Sequence, residues 1–160
     1  MKNGDDMHLE GRYEIELRDA ASGRLIKRLR LKNQLTTINQ AVRAQMLMGT
    51  FTGDTDALQI AYIAVGTGTA AASASDTALG NETFRKAITQ QTLASAGVVR
   101  TIVSLGQSEA NGTIKEIGVF CGANANGNAN TGTLLSRINV NITKNSNMVL
   151  NIIRTDICTI

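Results

Sequence analysis

From Gly11 to Asp19 apolar and polar side chains alternate, with Tyr13, Ile15 and Leu17 on one side and Arg12, Glu14, Glu16 and Arg18 on the other. A period of two predicts a strand with one buried face. After a turn at Ala20-Ala21-Ser22-Gly23, residues Arg24 to Lys32 alternate again, placing Leu25, Leu29 and Leu31 inward and Arg24, Arg28 and Arg30 outward. Lys27 then falls on the inward side, which predicts exposure or a bulge at that point. Two such runs around a short turn read as a β-hairpin, across which Glu14 and Glu16 can pair with the arginines.

The same reading continues along the chain. Thr36 to Met48 has helical spacing, with Ile38, Ala41, Val42, Gln45, Met46 and Met48 on one face, Thr36 or Thr37 as cap and Gly49 as stop. Strands are expected at 58–65, 83–92, 98–105, 113–121, 133–143 and 148–160. The run at 113–121 is nearly apolar on both faces and is therefore expected to be central. Small residues at 70–74 lead to a tightening at Ser75-Asp76 and Leu79-Gly80, and Gly122 to Gly132 (GANANGNANTG) reads as a low-complexity loop. The turns after Val98 are short, so the strands that follow are expected to be antiparallel neighbours. The sum is a mainly β chain: an antiparallel sandwich or barrel of about eight strands with one short α-helix at 36–48. Residues 1–10 lack periodicity and read as an N-terminal arm; 11–160 read as a single β-rich domain.

Composition narrows the picture. Aromatic residues are 3% of the 160, and Trp and Pro are absent, so the core must be built of Ile, Val, Leu and Ala. The net charge of +3 is mild, and its one basic cluster, Arg24, Lys27, Arg28, Arg30 and Lys32, holds no aromatic residue. Specific nucleic-acid binding would call for a concentrated basic face with stacking rings. The cluster reads as a solvated or partner-facing strand, with a phosphate-binding strip as the other reading. No leader is visible ahead of the arm and no apolar run reaches membrane-spanning length, so synthesis in a reducing cytoplasm and no membrane partner are expected.

Candidate chemistry is sparse. The single histidine, His8, sits in the arm beside Asp5 and Asp6, a group that reads as solvated charge or a partner contact more than a metal site. Asp54 and Asp56 lack the spacing of a calcium loop. Gly66-Thr67-Gly68 follows a strand, but the third glycine, the lysine and the helix of a phosphate-binding loop are missing; the glycines read as a strand exit needing positive φ. Glu109 and Glu116 have no spacing that marks a catalytic pair. The sequons at Asn81, Asn111 and Asn141 are expected by chance in a chain this rich in Asn and Thr. No catalytic residue, cofactor, metal or small-molecule substrate is assigned. Cys121 and Cys158 read as buried thiols or, alternatively, as a disulfide formed outside the cell, of which an interchain bridge is one version.

Two stretches carry a resemblance. YIAVGTGTAAASASDTALGNETFRKAI, from Tyr62, and EANGTIKEIGVF, from Glu109, together with LKNQLTTINQAVRAQML and GTLLSRINVNITKN, resemble the small β-rich virion proteins of tailed bacteriophages, of the tail-fibre, baseplate or minor structural type. The resemblance runs over residues 11–160. Relatives commonly carry a proline in the Ala/Ser stretch and aromatics in the last strand, where this chain has Ala70-Ala71-Ala72 and Ile152-Ile153. It implies a virion location and a role in assembly on the tail, neck, baseplate or fibre attachment, with other virion proteins and copies of the chain itself, as a trimer or ring, for partners. Arg24, Arg28, Arg30, Asp5, Asp6 and His8 are the expected partner-facing residues. A capsid decoration (cement) protein is the alternative, followed by a receptor- or carbohydrate-binding module, with an enzyme last.

Overall fold

The computed structural model describes residues 8–37 and 59–159. Asp5, Asp6, the helix expected beyond Thr37, and Asp54 and Asp56 lie outside them. The described residues form ten strands: β1 (His8–Asp19), β2 (Leu25–Lys32), β3 (Gln34–Leu35), β4 (Ile60–Gly66), β5 (Glu82–Ala87), β6 (Gln90–Ser95), β7 (Val98–Leu105), β8 (Gly112–Cys121), β9 (Thr133–Lys144) and β10 (Met148–Thr159). They make two five-stranded sheets, ordered β2-β1-β10-β7-β6 and β3-β9-β8-β4-β5. Every pairing is antiparallel. The architecture is a β-sandwich and not a closed barrel.

The alternation read from the sequence builds the core. Tyr13, Ile15 and Leu17 of β1 and Leu150 and Ile152 of β10 face Ile63, Val65, Ile117, Val119, Leu135 and Ile138 of the other sheet in one buried cluster. Each fully buried aliphatic side chain contributes on the order of 1.5–3 kcal/mol relative to exposure. β8 lies between β9 and β4, as its two-sided apolar pattern predicts. Its register slips between Ile114 and Glu116. There β9 runs three residues, from Ile142 to Asn139, against two of β8, and across this irregularity Ile114 and Ile117 face the core while Glu116, Gly118 and Phe120 face outward.

Several expectations are corrected. The strand predicted at 83–92 is two strands in different sheets. The switch occurs at adjacent residues: Ile88 donates its amide to Ala61 of the second sheet at 3.0 Å, and Thr89 donates to Ile102 of the first at 3.1 Å. The short turns after β7 and β9 do not join neighbours either. Both arch over an end of the sandwich, because a few residues suffice to cross the ~10 Å between packed sheets; only β8 and β9 are paired as expected.

In β2, Lys27 pairs with Leu17 and Leu25 with Arg18, so Ile26 is the extra residue of a bulge. The bulge reverses the alternation, leaves Leu25 38% and Ile26 45% exposed, and lets Lys27 Nζ reach the Asn141 carbonyl at 2.9 Å. The expected arm is also shorter than ten residues: His8, Leu9 and Glu10 already pair with Thr159, Cys158 and Ile157.

Candidate functional site

The outer face of the second sheet is covered by the segment between β4 and β5, residues 67–81. Leu79 seats it. Leu79 is buried with Ala64, Phe120 and Leu134, directly above Gly118, where a Cβ would come within 2.7 Å of its side chain. Beneath the same segment lies Glu116, with no solvent exposure. Its carboxylate accepts the amides of Gly68 at 2.8 Å, Gly80 at 3.0 Å and Asn81 at 2.8 Å, and Arg137 Nε at 2.8 Å. Arg137 then donates to Asp76 at 2.9 Å and to the Ala70 carbonyl at 2.9 Å. One buried ion pair thus holds both ends and the middle of the loop.

The glycines of Gly66-Thr67-Gly68 are explained by this contact. Neither lies among the positive-φ residues, which corrects the reading of them as left-handed turn positions. A Cβ on Gly68 would overlap the Glu116 carboxylate, and one on Gly66 would overlap the Asn81 carbonyl. The loop forms a cradle of backbone amides of the sort that binds phosphate, but its anion is the chain's own Glu116. Burial works against that charge, yet the Asn81, Gly80 and Gly68 amides and Arg137 outweigh it and hold the carboxyl below its usual range. A carboxylate so fully engaged is a fastening and not a proton acceptor.

A second fastening holds the Gly/Asn/Ala loop. Arg85 on β5 pairs with Glu82, stacks over Phe120 with its guanidinium carbon 4.5 Å from the ring centre, and donates to the Asn126 and Thr131 carbonyls at 3.0 Å. Glu82 accepts the Asn130 amide at 2.8 Å, and Asn130 Oδ1 accepts the Leu79 amide at 3.1 Å, so the two loops are linked.

At the turn after β7, Lys144 donates to the Gly106 carbonyl at 2.6 Å and to Asn111 Oδ1 at 2.9 Å. Burial pushes its amine down while Glu109 pulls the other way. Glu109 itself is held low by Lys86, 2.6 Å away, and by the Gly106 amide. Between the sheets, Arg154 has no solvent exposure. It reaches Tyr13 Oη at 3.1 Å, Ser136 Oγ, and both oxygens of Asp156 at 2.6 and 2.8 Å.

The basic cluster is not bare. Arg28 pairs with Glu16 and Arg30 with Glu14 at 2.9 Å. Lys32 and Arg12 flank Glu10 at 3.2 and 2.9 Å and pull its carboxyl down to about 2. The outer face of the first sheet there is a ladder of alternating sign, which weakens the phosphate-strip reading. Arg24 stands just before β2, where its carbonyl accepts the Asp19 amide at 2.9 Å. The structure therefore brings Arg28 and Arg30 together through the glutamates of β1, and Arg24 occupies the turn. His8 is placed only by its backbone, opposite Thr159 at the end of β1.

Cys121 is buried in the core, its thiol donating to the Thr133 carbonyl at 3.3 Å, a position that no second chain can reach without opening the sandwich. Cys158 stands opposite Leu9 in the β1–β10 ladder. Thr36 and Thr37, the expected caps, donate their hydroxyls to the Leu134 carbonyl at 2.7 Å and the Ala74 carbonyl at 3.1 Å.

The residues that organise this face, Glu116, Arg137 and Arg85, were not singled out as a site by the sequence. The available signal was a glutamate at 116 in the nearly apolar run Ile114 to Cys121, and an arginine at 137 beside Leu134, Leu135 and Ile138. Comparison with protein-family models, with curated proteins and with solved structures finds no match for this chain. The reading of function rests on the fold, the fastened loops and the sequence resemblance.

Proposed function

We propose that the chain is a structural component of a tailed-phage virion that works by protein–protein assembly, on the tail, neck, baseplate or fibre attachment. The observation that carries this is the Glu116–Arg137 pair. Buried charge, which is costly to desolvate, is spent on fixing a surface loop to a rigid sandwich. Arg85, Lys144 and Arg154 are used in the same way on other parts of the frame. A particle component needs this: a surface whose shape persists without a bound ligand, so that a neighbouring subunit meets it preformed. The titratable groups described above are engaged in the frame, which fits an assembly role better than a catalytic one. Other virion proteins and copies of the chain are the proposed partners.

The test is to raise antibody against the chain and examine purified particles by immuno-electron microscopy and quantitative mass spectrometry. Label at the tail, with few copies per particle, is expected. Label over the shell, in proportion to the major shell protein, would move the role to capsid decoration. Absence from intact particles would overturn the reading.

A further inference from the structure

Among the described residues the sandwich has four edge strands, β2 and β6 in one sheet and β3 and β5 in the other. Exposed edges invite pairing with another chain, and proteins blunt them with charge, proline, bulges or brevity. Three of the four are blunted by charge or brevity, whereas β6 has only a bulge, between Leu93 and Ser95. β2 carries Lys27, Arg28, Arg30 and Lys32 and a bulge. β3 is two residues long. β5 carries Glu82, Arg85 and Lys86. β6, reading QQTLAS, has no charge and no proline, and all six of its residues are exposed. Leu93 at its centre is 73% exposed, the most open large apolar side chain among the described residues. Behind it stands β7, whose Val98, Val99 and Ile102 are only half-buried.

We propose that β6 is an interface with a second copy of this chain, paired antiparallel with itself across a two-fold axis. The charge pattern selects that occupant. A two-fold operation across β6 sets neutral residues against the same neutral residues, brings Leu93 beside its mate, and joins two five-stranded sheets into one continuous sheet. The nearest cation of β7, Arg100, lies opposite Thr92. Its mate would stand three strand spacings away, about 14 Å, beyond the ~8 Å over which exposed charges act at physiological salt. The same operation across β2 would set its arginines and lysines directly against one another.

The proposal deepens the assembly reading and rests on it for its purpose. The two fail separately: a monomer that still enters particles removes the β6 pair, whereas a dimer absent from particles removes the virion role.

Sedimentation velocity of the full chain at high micromolar concentration is the first experiment, on wild type, L93K and L93C. Wild type is expected to dimerise. L93K, a change at an exposed position, is expected to keep the wild-type circular dichroism spectrum while weakening the dimer by about a hundredfold or more, because it sets like charges opposite each other. Under mild oxidation L93C is expected to give a dimer band on a non-reducing gel that wild type lacks. A monomeric wild type overturns the proposal. So does a dimer or higher oligomer that L93K leaves intact, since that assembly uses another surface, and so does a folded L93C that does not cross-link through this position.

Discussion

Arg137 Nε lies 2.8 Å from Glu116 Oε2, on neighbouring strands and beneath a loop to which neither residue belongs. Three backbone amides of that loop converge on the same carboxylate. Replacing Glu116 with Gln keeps the shape but sets an amide nitrogen among donors and leaves Arg137 short of a counter-charge. Breaking one partner of a buried pair costs roughly 3–5 kcal/mol. The Asp76 bond that Arg137 retains places E116Q near the low end, about 3 kcal/mol, read by urea denaturation.

The same carboxylate gives an acid dependence. Its folded pKa is held below the unfolded value, so the stabilisation is fully present above the ordinary carboxylate range and is lost as pH falls through the folded pKa. Glu109 and Glu16 are shifted the same way. Urea midpoints measured from neutral pH downward are expected to fall, and E116Q is expected to fall less steeply than wild type across the acid window.

Two alanine substitutions separate close approach from backbone freedom. At Gly68 the new methyl meets Glu116, and overpacking of that kind costs about 1–3 kcal/mol. At Gly127 nothing lies within 4 Å and φ is not left-handed, so G127A is expected to change stability by no more than about 0.5 kcal/mol. Thermal unfolding of the two variants checks the contrast, and equal melting would remove the steric account of Gly68.

Tyr13 Oη meets Ser136 Oγ at 2.8 Å and Arg154 at 3.1 Å, linking one sheet to the other. Y13F removes the hydroxyl and keeps the ring. The expected loss is about 1–3 kcal/mol, the cost of removing one partner from a buried hydrogen bond, measured in the same urea series.

Cys121 is expected to be silent toward a thiol reagent in the native protein and to react once the chain is unfolded, because its sulfur is enclosed in the core. Comparing labelling of wild type and C158S, with and without denaturant, isolates its rate. Fast native labelling of C158S would contradict the burial.

The inward face of β1 was readable in advance, because a period of two assigns every second residue once one is placed. That β8 is central was readable for the same reason, from apolar residues on both faces. What the alternation could not carry was the sheet to which a strand belongs. Residues 83–92 look like one run, and only the partner carbonyls of Ile88 and Thr89 divide it. Bulges hid more. One extra residue of β9 opposite Lys115 decides whether Glu116 points at the core or at the loop, and one at Ile26 turns Leu25 outward while Lys27 keeps the inward side. The Glu116 site was invisible for that reason: its donors are amides from distant parts of the chain, and an amide leaves no mark in a sequence. The glycines at 66 and 68 were marks of it, and their cause was proximity to a carboxylate.

The anchor of the covering loop comes late in the chain. Glu116 lies 48 residues after Gly68 and 35 after Asn81, and Arg137 lies later still. During synthesis the loop leaves the ribosome well before either charge that will hold it, and in refolding it must wait until β8 and β9 have paired. Closing such long separations costs chain entropy before any bond rewards it. Docking of residues 67–81 is therefore a closing event of folding, a seal set over a sheet already made.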